Sequence, residues 1–281
     1  MLKYFVPLFA TGSLVFASAT SPSIGLVKST GDFRIDGSAV HGNATVVEGT
    51  LVETTAARSV IQLADAQITL APDSRARFYR DHTVLEKGSG SVKDGARHVI
   101  EADTLRIAPS ARDSVVQIEI TDPSRITVGV RGGSAEVRNS SGILTASLRP
   151  GMALAFDSRA IATTAVRMTG IIEARNGGYF LIDETTNVRV RLEGNDVSKY
   201  VGKKVEITGS SISEANPAAG ASQLVRAVSI RLVSEKHKAG GAHISGVATA
   251  AIIGGVAIVG TVAGLGAAGT FSGDASSISR Q

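Results

Sequence analysis

The stretch Ser59-Val-Ile-Gln-Leu-Ala-Asp-Ala-Gln-Ile-Thr-Leu-Ala-Pro-Asp-Ser-Arg-Ala-Arg-Phe-Tyr79 decides the fold class. Apolar and polar residues alternate within Ser59–Leu63, within Gln67–Leu70 and again from Arg75 to Tyr79. This is the period-two signature of half-buried strands. Between the segments stand Asp65 and then Pro72-Asp73, residues that favour turns because they preset φ or hydrogen-bond their own backbone. Three short strands in twenty-one residues leave no room for a helix.

The same theme runs outward in both directions, from Ser23 to Phe156. Strands are predicted at His98–Ile100, Val115–Ile120, Arg125–Val130 and Ser134–Val137. Turn signals separate them at Asp36-Gly37, Lys87-Gly88-Ser89-Gly90, Asp94-Gly95, Asp122-Pro123, Gly132-Gly133 and Pro150-Gly151. No helical period of any length interrupts the series. Regular short strands without helices imply a mainly β fold, either an antiparallel sandwich or a solenoid-like stack of β-turns.

Within this region Gly42-Asn43-Ala44-Thr45, Gly49, Val52-Glu53-Thr54, Ser59 to Asp65, Leu70-Ala71-Pro72-Asp73-Ser74 and Leu85-Glu86-Lys87-Gly88 follow in order. The series resembles the FecR-type extracytoplasmic domain of bacterial envelope proteins. Val128-Gly-Val130, Gly133, Glu136-Val137, Leu148 and Gly151 resemble its later strand-turn-strand portion. The likeness spans about Asp36 to Phe156, and residues 20–157 are taken as this domain. The family's D-G-S turn is here Asp65-Ala66-Gln67, and its later G-T-x-F element is missing. In the iron-transport regulators of that family, a cytoplasmic anti-sigma segment and a membrane helix precede the domain. Here a signal peptide alone is expected before it, so the resemblance implies an envelope β-domain without sigma-factor control.

After residue 163 the pattern changes. Val166–Glu173, Tyr179–Asp183, Val188–Leu192, Lys204–Gly209 and Leu224–Leu232 read as five strands, with a hairpin turn at Asn176-Gly177 and a helix-like turn at Asp196–Gly202. Five strands with a short helix between the third and fourth match OB-fold order. The segment 164–234 also resembles small periplasmic OB-fold modules, most closely through Gly202-Lys-Lys-Val-Glu-Ile-Thr-Gly209.

Both ends are hydrophobic. Lys3, the apolar stretch Tyr4 to Phe16 and Ala17-Ser18-Ala19 have the layout of a secretory signal peptide, residues 1–19. An uncleaved anchor or a buried strand is the alternative. Near the other end, Ile244 to Phe271 carries no charged residue and is long enough to cross a bilayer as a helix. Gly246, Ala250, Gly254, Gly260, Gly264 and Ala268 would form stripes of small residues on it, the kind that lets two membrane helices approach and self-associate. A Gly/Ala tail without helix is the other reading. Residues 272–281 follow as a tail.

Composition narrows the chemistry. The chain of 281 residues is 43% hydrophobic and 19% charged, with no cysteine, no tryptophan and 4% aromatics. The apolar fraction is too high for a disordered chain. Thiolate metal sites, disulfides and cysteine nucleophiles are excluded. The net charge of +4, from 29 basic and 25 acidic residues, is spread along the chain. Few rings and no basic cluster argue against nucleic acid as a partner. The five histidines, His41, His82, His98, His237 and His243, stand apart from one another and are read as surface or turn residues. No G-x-S-x-G elbow or calcium-loop clustering appears, so no enzyme, metal or cofactor is expected.

One binding surface can be argued. In Val188-Arg189-Val190-Arg191-Leu192 alternation sends both arginines to one sheet face. With Tyr179 and Lys204 on other strands, Arg189 and Arg191 form a candidate ligand face, or else a solvated outer face. The expected function is an exported, membrane-associated envelope protein that binds or scaffolds an envelope protein or glycan. A sensor whose OB-like module takes a small anionic ligand is the alternative.

Overall fold

The computed structural model describes residues 22–96, 98–122, 124–157, 165–212, 220–233, 251–253 and 256–261. The architecture is mainly β, as the alternation predicts. The first strands are β1 (Ser23–Ser29), β2 (Phe33–Ile35), β3 (Ser38–Val40), β4 (Asn43–Val47), β5 (Thr50–Thr54), β6 (Ser59–Leu63), β7 (Gln67–Leu70) and β8 (Arg75–Phe78). A long β9 (His82–Lys93) leads to β10 (Val99–Ala102), β11 (Leu105–Pro109) and β12 (Val115–Asp122). Then come β13 (Arg125–Gly132), β14 (Ala135–Asn139), β15 (Leu144–Leu148) and β16 (Ala153–Asp157).

These strands make two layers that share β9. One runs β4-β1-β6-β7-β9-β12-β13-β16, antiparallel throughout. The other runs β3-β2-β5-β8-β9-β10-β11-β14-β15, with β9 and β10 parallel. One core joins them, with Val27, Ile61, Ile118 and Phe156 from the first layer and Phe33, Phe78, Ile107 and Leu148 from the second.

Lys87 to Gly90, expected as a turn, lies inside β9 instead. Residues 83–87 pair in one layer and 88–93 in the other, so the chain changes layers at Gly88 without leaving the strand. Gly88 has φ +80°, and a Cβ there would fall on Ser74, 2.8 Å from its Cα. The Ser74 hydroxyl donates to Ser89 O and accepts from Ser89 N–H, both at 2.9 Å. A second corner repeats the device. Gly133, φ +64°, sits against Ser114, whose hydroxyl joins Ser134 O at 2.9 Å and Ser134 N–H at 3.2 Å. Only glycine tolerates both the positive φ and the close backbone.

Beyond residue 164 come β17 (Ala165–Arg175), β18 (Gly178–Ile182) and β19 (Arg189–Glu193), then the 3₁₀ turn Val197–Tyr200, β20 (Lys204–Ile212) and β21 (Leu224–Leu232). Their pairing closes a ring, β17-β18-β19-β21-β20-β17, in which β19–β21 is parallel and the rest antiparallel. Val166, Met168, Leu181, Val190, Leu192, Val205, Ile207 and Val225 fill its interior.

The C-terminal run departs from expectation. Its described part is a hairpin of β22 (Ala251–Ile253) and β23 (Val256–Thr261) rather than a stretch of helix. The β-branched Ile252, Ile253, Val256 and Ile258 suit strands, and the edge of β16 offers them backbone partners. Among the described residues, no helix is long and apolar enough to cross a membrane. Gly260 sits in β23 opposite Ala155. Gly246, Ala250, Gly254, Gly264 and Ala268 lie outside the described residues, as do 1–19 and 272–281.

Candidate functional site

The arginine face forms as alternation requires. Val190 and Leu192 of β19 point into the ring, with Val188 just before the strand, while Arg189 and Arg191 point outward. The backbone holds both arginines in place: Ser222 N–H donates to Arg189 O at 2.8 Å, and Arg191 N–H to Gln223 O at 3.0 Å. Arg191 stands opposite Phe180 of β18, and Phe180 opposite Glu173 of β17. Arg189 stands opposite Ile182.

Tyr179 does not join them. It pairs with Leu192, which faces inward, and its ring packs on the ring's core. Gly178-Tyr-Phe-Leu-Ile182 is apolar at nearly every position, so hydrophobicity alone cannot give its parity. The register with Arg191 gives it, and places Phe180 on the arginine side. Phe180 is thus a face residue that sequence reasoning missed. Gly178 makes room for it: a Cβ there would lie 3.3 Å from the Phe180 ring and 3.6 Å from Arg191 Nε.

Lys204 stands opposite Ile171 on the outer surface, with its Nζ 2.7 Å from Glu184 Oε2. It belongs to the periphery of the face. The centre is an open depression of about 570 Å³ lined by Ile171, Glu173, Arg175, Arg189, Val201 and Gly202. Two of its apolar walls are exposed, Ile171 at 50% and Val201 at 40%. Arg189 lines the depression, and its Nε is buried with no hydrogen-bond partner among the described residues. A guanidinium beside exposed apolar walls suits a carboxylate or phosphate carried on an apolar body, met through its outer nitrogens.

A buried acid shapes the neighbouring loop. Asp183 accepts from Thr169 N–H at 2.8 Å and from both the N–H and the hydroxyl of Thr186 at 2.9 Å. Burial pushes its carboxyl above the usual carboxylate range, and these hydrogen bonds oppose the shift. The loop so held reaches back to the two-layer unit. Thr186 O accepts from Ser147 N–H at 2.8 Å, and Asn187 Oδ1 accepts from Arg149 Nη2 at 3.1 Å.

In the two-layer unit, His98 is a core residue rather than a surface one. It is 1% exposed, its Nε2 lies 2.8 Å from Thr83 Oγ1, and its Nδ1 has no hydrogen-bond partner. Burial holds its pKa below the usual histidine value. A hydroxyl–imidazole contact of this length is also how a nucleophile is activated. Here Thr83 is 1% exposed and borders an apolar void of only about 10 Å³, so no substrate can reach the pair. His82 stacks on Tyr79 with centroids 4.3 Å apart and meets Asp81 at 2.8 Å. No cluster of three or more His, Asp or Glu able to hold a metal occurs among the described residues.

Comparisons with known proteins add little. No protein-family model and no curated protein matches the chain. Two crystal structures of a candidate anti-sigma factor from Parabacteroides distasonis ATCC 8503, at 1.65 Å and 2.50 Å resolution, are similar at 14% identity with TM-scores of 0.32 and 0.31. The matches cover 39% and 38% of this chain and 55% and 54% of those chains. A likeness this slight carries no argument about function.

Proposed function

We propose that this chain is a non-enzymatic exported envelope protein, built from a FecR-type β domain and an OB-type barrel, that binds or scaffolds an envelope protein or glycan. The observation that carries the reading is the outward pair Arg189 and Arg191 beside the open depression, both pinned through their backbones to the 222–223 segment. Export rests on the layout of residues 1–19. The barrel reading rests on the ring order, its one parallel contact and the short 3₁₀ turn between the third and fourth strands. Pull-down from native envelopes with the mature chain, against Arg189→Ala/Arg191→Ala, tests it. A partner retained by the native chain and lost by the variant is expected. Identical retention by both moves binding off this face.

Arg189 at the wall of the depression favours a second reading, a sensor of a small anionic ligand. Thermal-shift screening against anionic metabolites separates the two, since a scaffold gives no saturable shift.

A further inference from the structure

The C-terminal hairpin belongs to both β units at once. Strand β23 adds to the edge of β16, pairing Leu154 with Thr261, Phe156 with Ile258 and Asp157 with Ala257. Strand β22 reaches β17 through Arg167 and Ile252. The side chains divide the same way: Val256 and Ile258 enter the core of the two-layer unit, while Ile253 enters the barrel core. All three are nearly or fully buried.

One side of β16 is paired with β13, and β23 takes the edge that β13 leaves. An exposed edge carrying unpaired N–H and C=O groups is a template for strand addition. The two strands of the hairpin, joined at Gly254-Gly255, form a unit too small to hold its shape alone. It depends on its acceptor. The connecting segment 234–250 can span about 55 Å at about 3.3 Å per residue.

We propose that residues 251–261 are an exchangeable donor, and that the β16 edge with the start of β17 is a strand-acceptor surface whose other occupant is the same hairpin of a second copy. The hydrogen bonds and buried side chains are identical in the closed chain and in the reciprocal dimer. The balance between them is therefore set by concentration against the effective concentration of the tethered hairpin, on the order of millimolar.

The absence of cysteine gives a direct test. Asp157 and Ala257 face each other across the β16–β23 ladder, so Asp157→Cys/Ala257→Cys places two thiols in register. The variant is refolded at about 10 µM, far below the tether's effective concentration, and at about 1 mM, close to it. It is then oxidised and resolved by denaturing electrophoresis without reductant. An intrachain disulfide at the lower concentration, with the share of covalent dimer rising more than about twentyfold at the higher one, is the expected result. Crosslinked monomer at every concentration overturns exchange. No crosslink at either concentration overturns the seating of the hairpin on β16. Asp157→Cys alone, carried through the same steps, shows the dimer expected from random thiol contact, and an equal yield from the double variant also overturns the proposal.

Discussion

The two-layer unit and the barrel bury opposite ionisable groups. The first encloses a base, His98, with one ring nitrogen unsatisfied, and the second an acid, Asp183, with three donors on its carboxylate. In each, burial favours the neutral form, which lowers the histidine pKa and raises the aspartate pKa. Their corners differ too. The two-layer unit changes sheets at glycines clamped against serine hydroxyls, whereas the barrel closes through the long β17 and β20, each of which pairs with two other strands of the ring. The comparison teaches that one unit is sensitive to its backbone corners and to acid, the other to its loop.

The largest effect is expected at a corner. Gly88→Val meets Ser74 backbone and a positive φ together, and a loss of about 4 kcal/mol or more is expected in urea unfolding. Gly177→Ala in the barrel also has positive φ, but no atom lies within 4 Å, and about 1 kcal/mol is expected there. Equal losses at the two positions break the contrast.

The shared hairpin comes next. Ile258→Ala and Ile253→Ala each remove a fully buried side chain, so about 2–4 kcal/mol is expected from either. The loss should appear in the two-layer unit for Ile258 and in the barrel for Ile253, read by hydrogen exchange of β13 and of β19 amides. Residues 164–234 expressed alone should fold with dispersed NMR spectra, though less stably for want of Ile253. Collapsed spectra would sink the independent barrel.

The pH response follows. His98 has a folded pKa below its unfolded 6.5, so the unfolded chain binds the extra proton, and stability falls as pH drops from 6.5 towards the lowered value. For Asp183, raised above 3.8, the folded chain binds the extra proton. The barrel therefore gains stability as pH falls through the raised value and is weakest above it. Melting followed separately by β10 and β18 amides should show slopes of opposite sign, and His98→Leu should flatten the first. Asp183→Asn puts an amide donor where Thr186 donates, with about 1–3 kcal/mol expected to be lost and the second slope abolished.

The smallest effect on stability belongs to the face. Arg189→Ala/Arg191→Ala should shift unfolding by about 0.5 kcal/mol or less, because both side chains point outward. A larger loss would make the pair structural rather than a binding feature.

Local chemistry alone determined the strands and many of the turns. Asp36-Gly37 and Asn176-Gly177 take positive φ at both positions, as two-residue hairpin turns need, and both are legible as Asx-Gly pairs. The outward aim of Arg189 and Arg191 was legible from alternation, because their neighbours in β19 differ so sharply in polarity. Tyr179 was not, since its strand is apolar throughout and only the register with β19 sets its face. His98 looked solitary because its partner Thr83 lies on another strand, brought near by the parallel β9–β10 contact. The run 244–271 reads as a helix from sequence because its length and absence of charge suit a bilayer as well as a protein core. The open edge of β16 and the two cores on either side make its described part a hairpin, and that acceptor exists only once the earlier strands have folded.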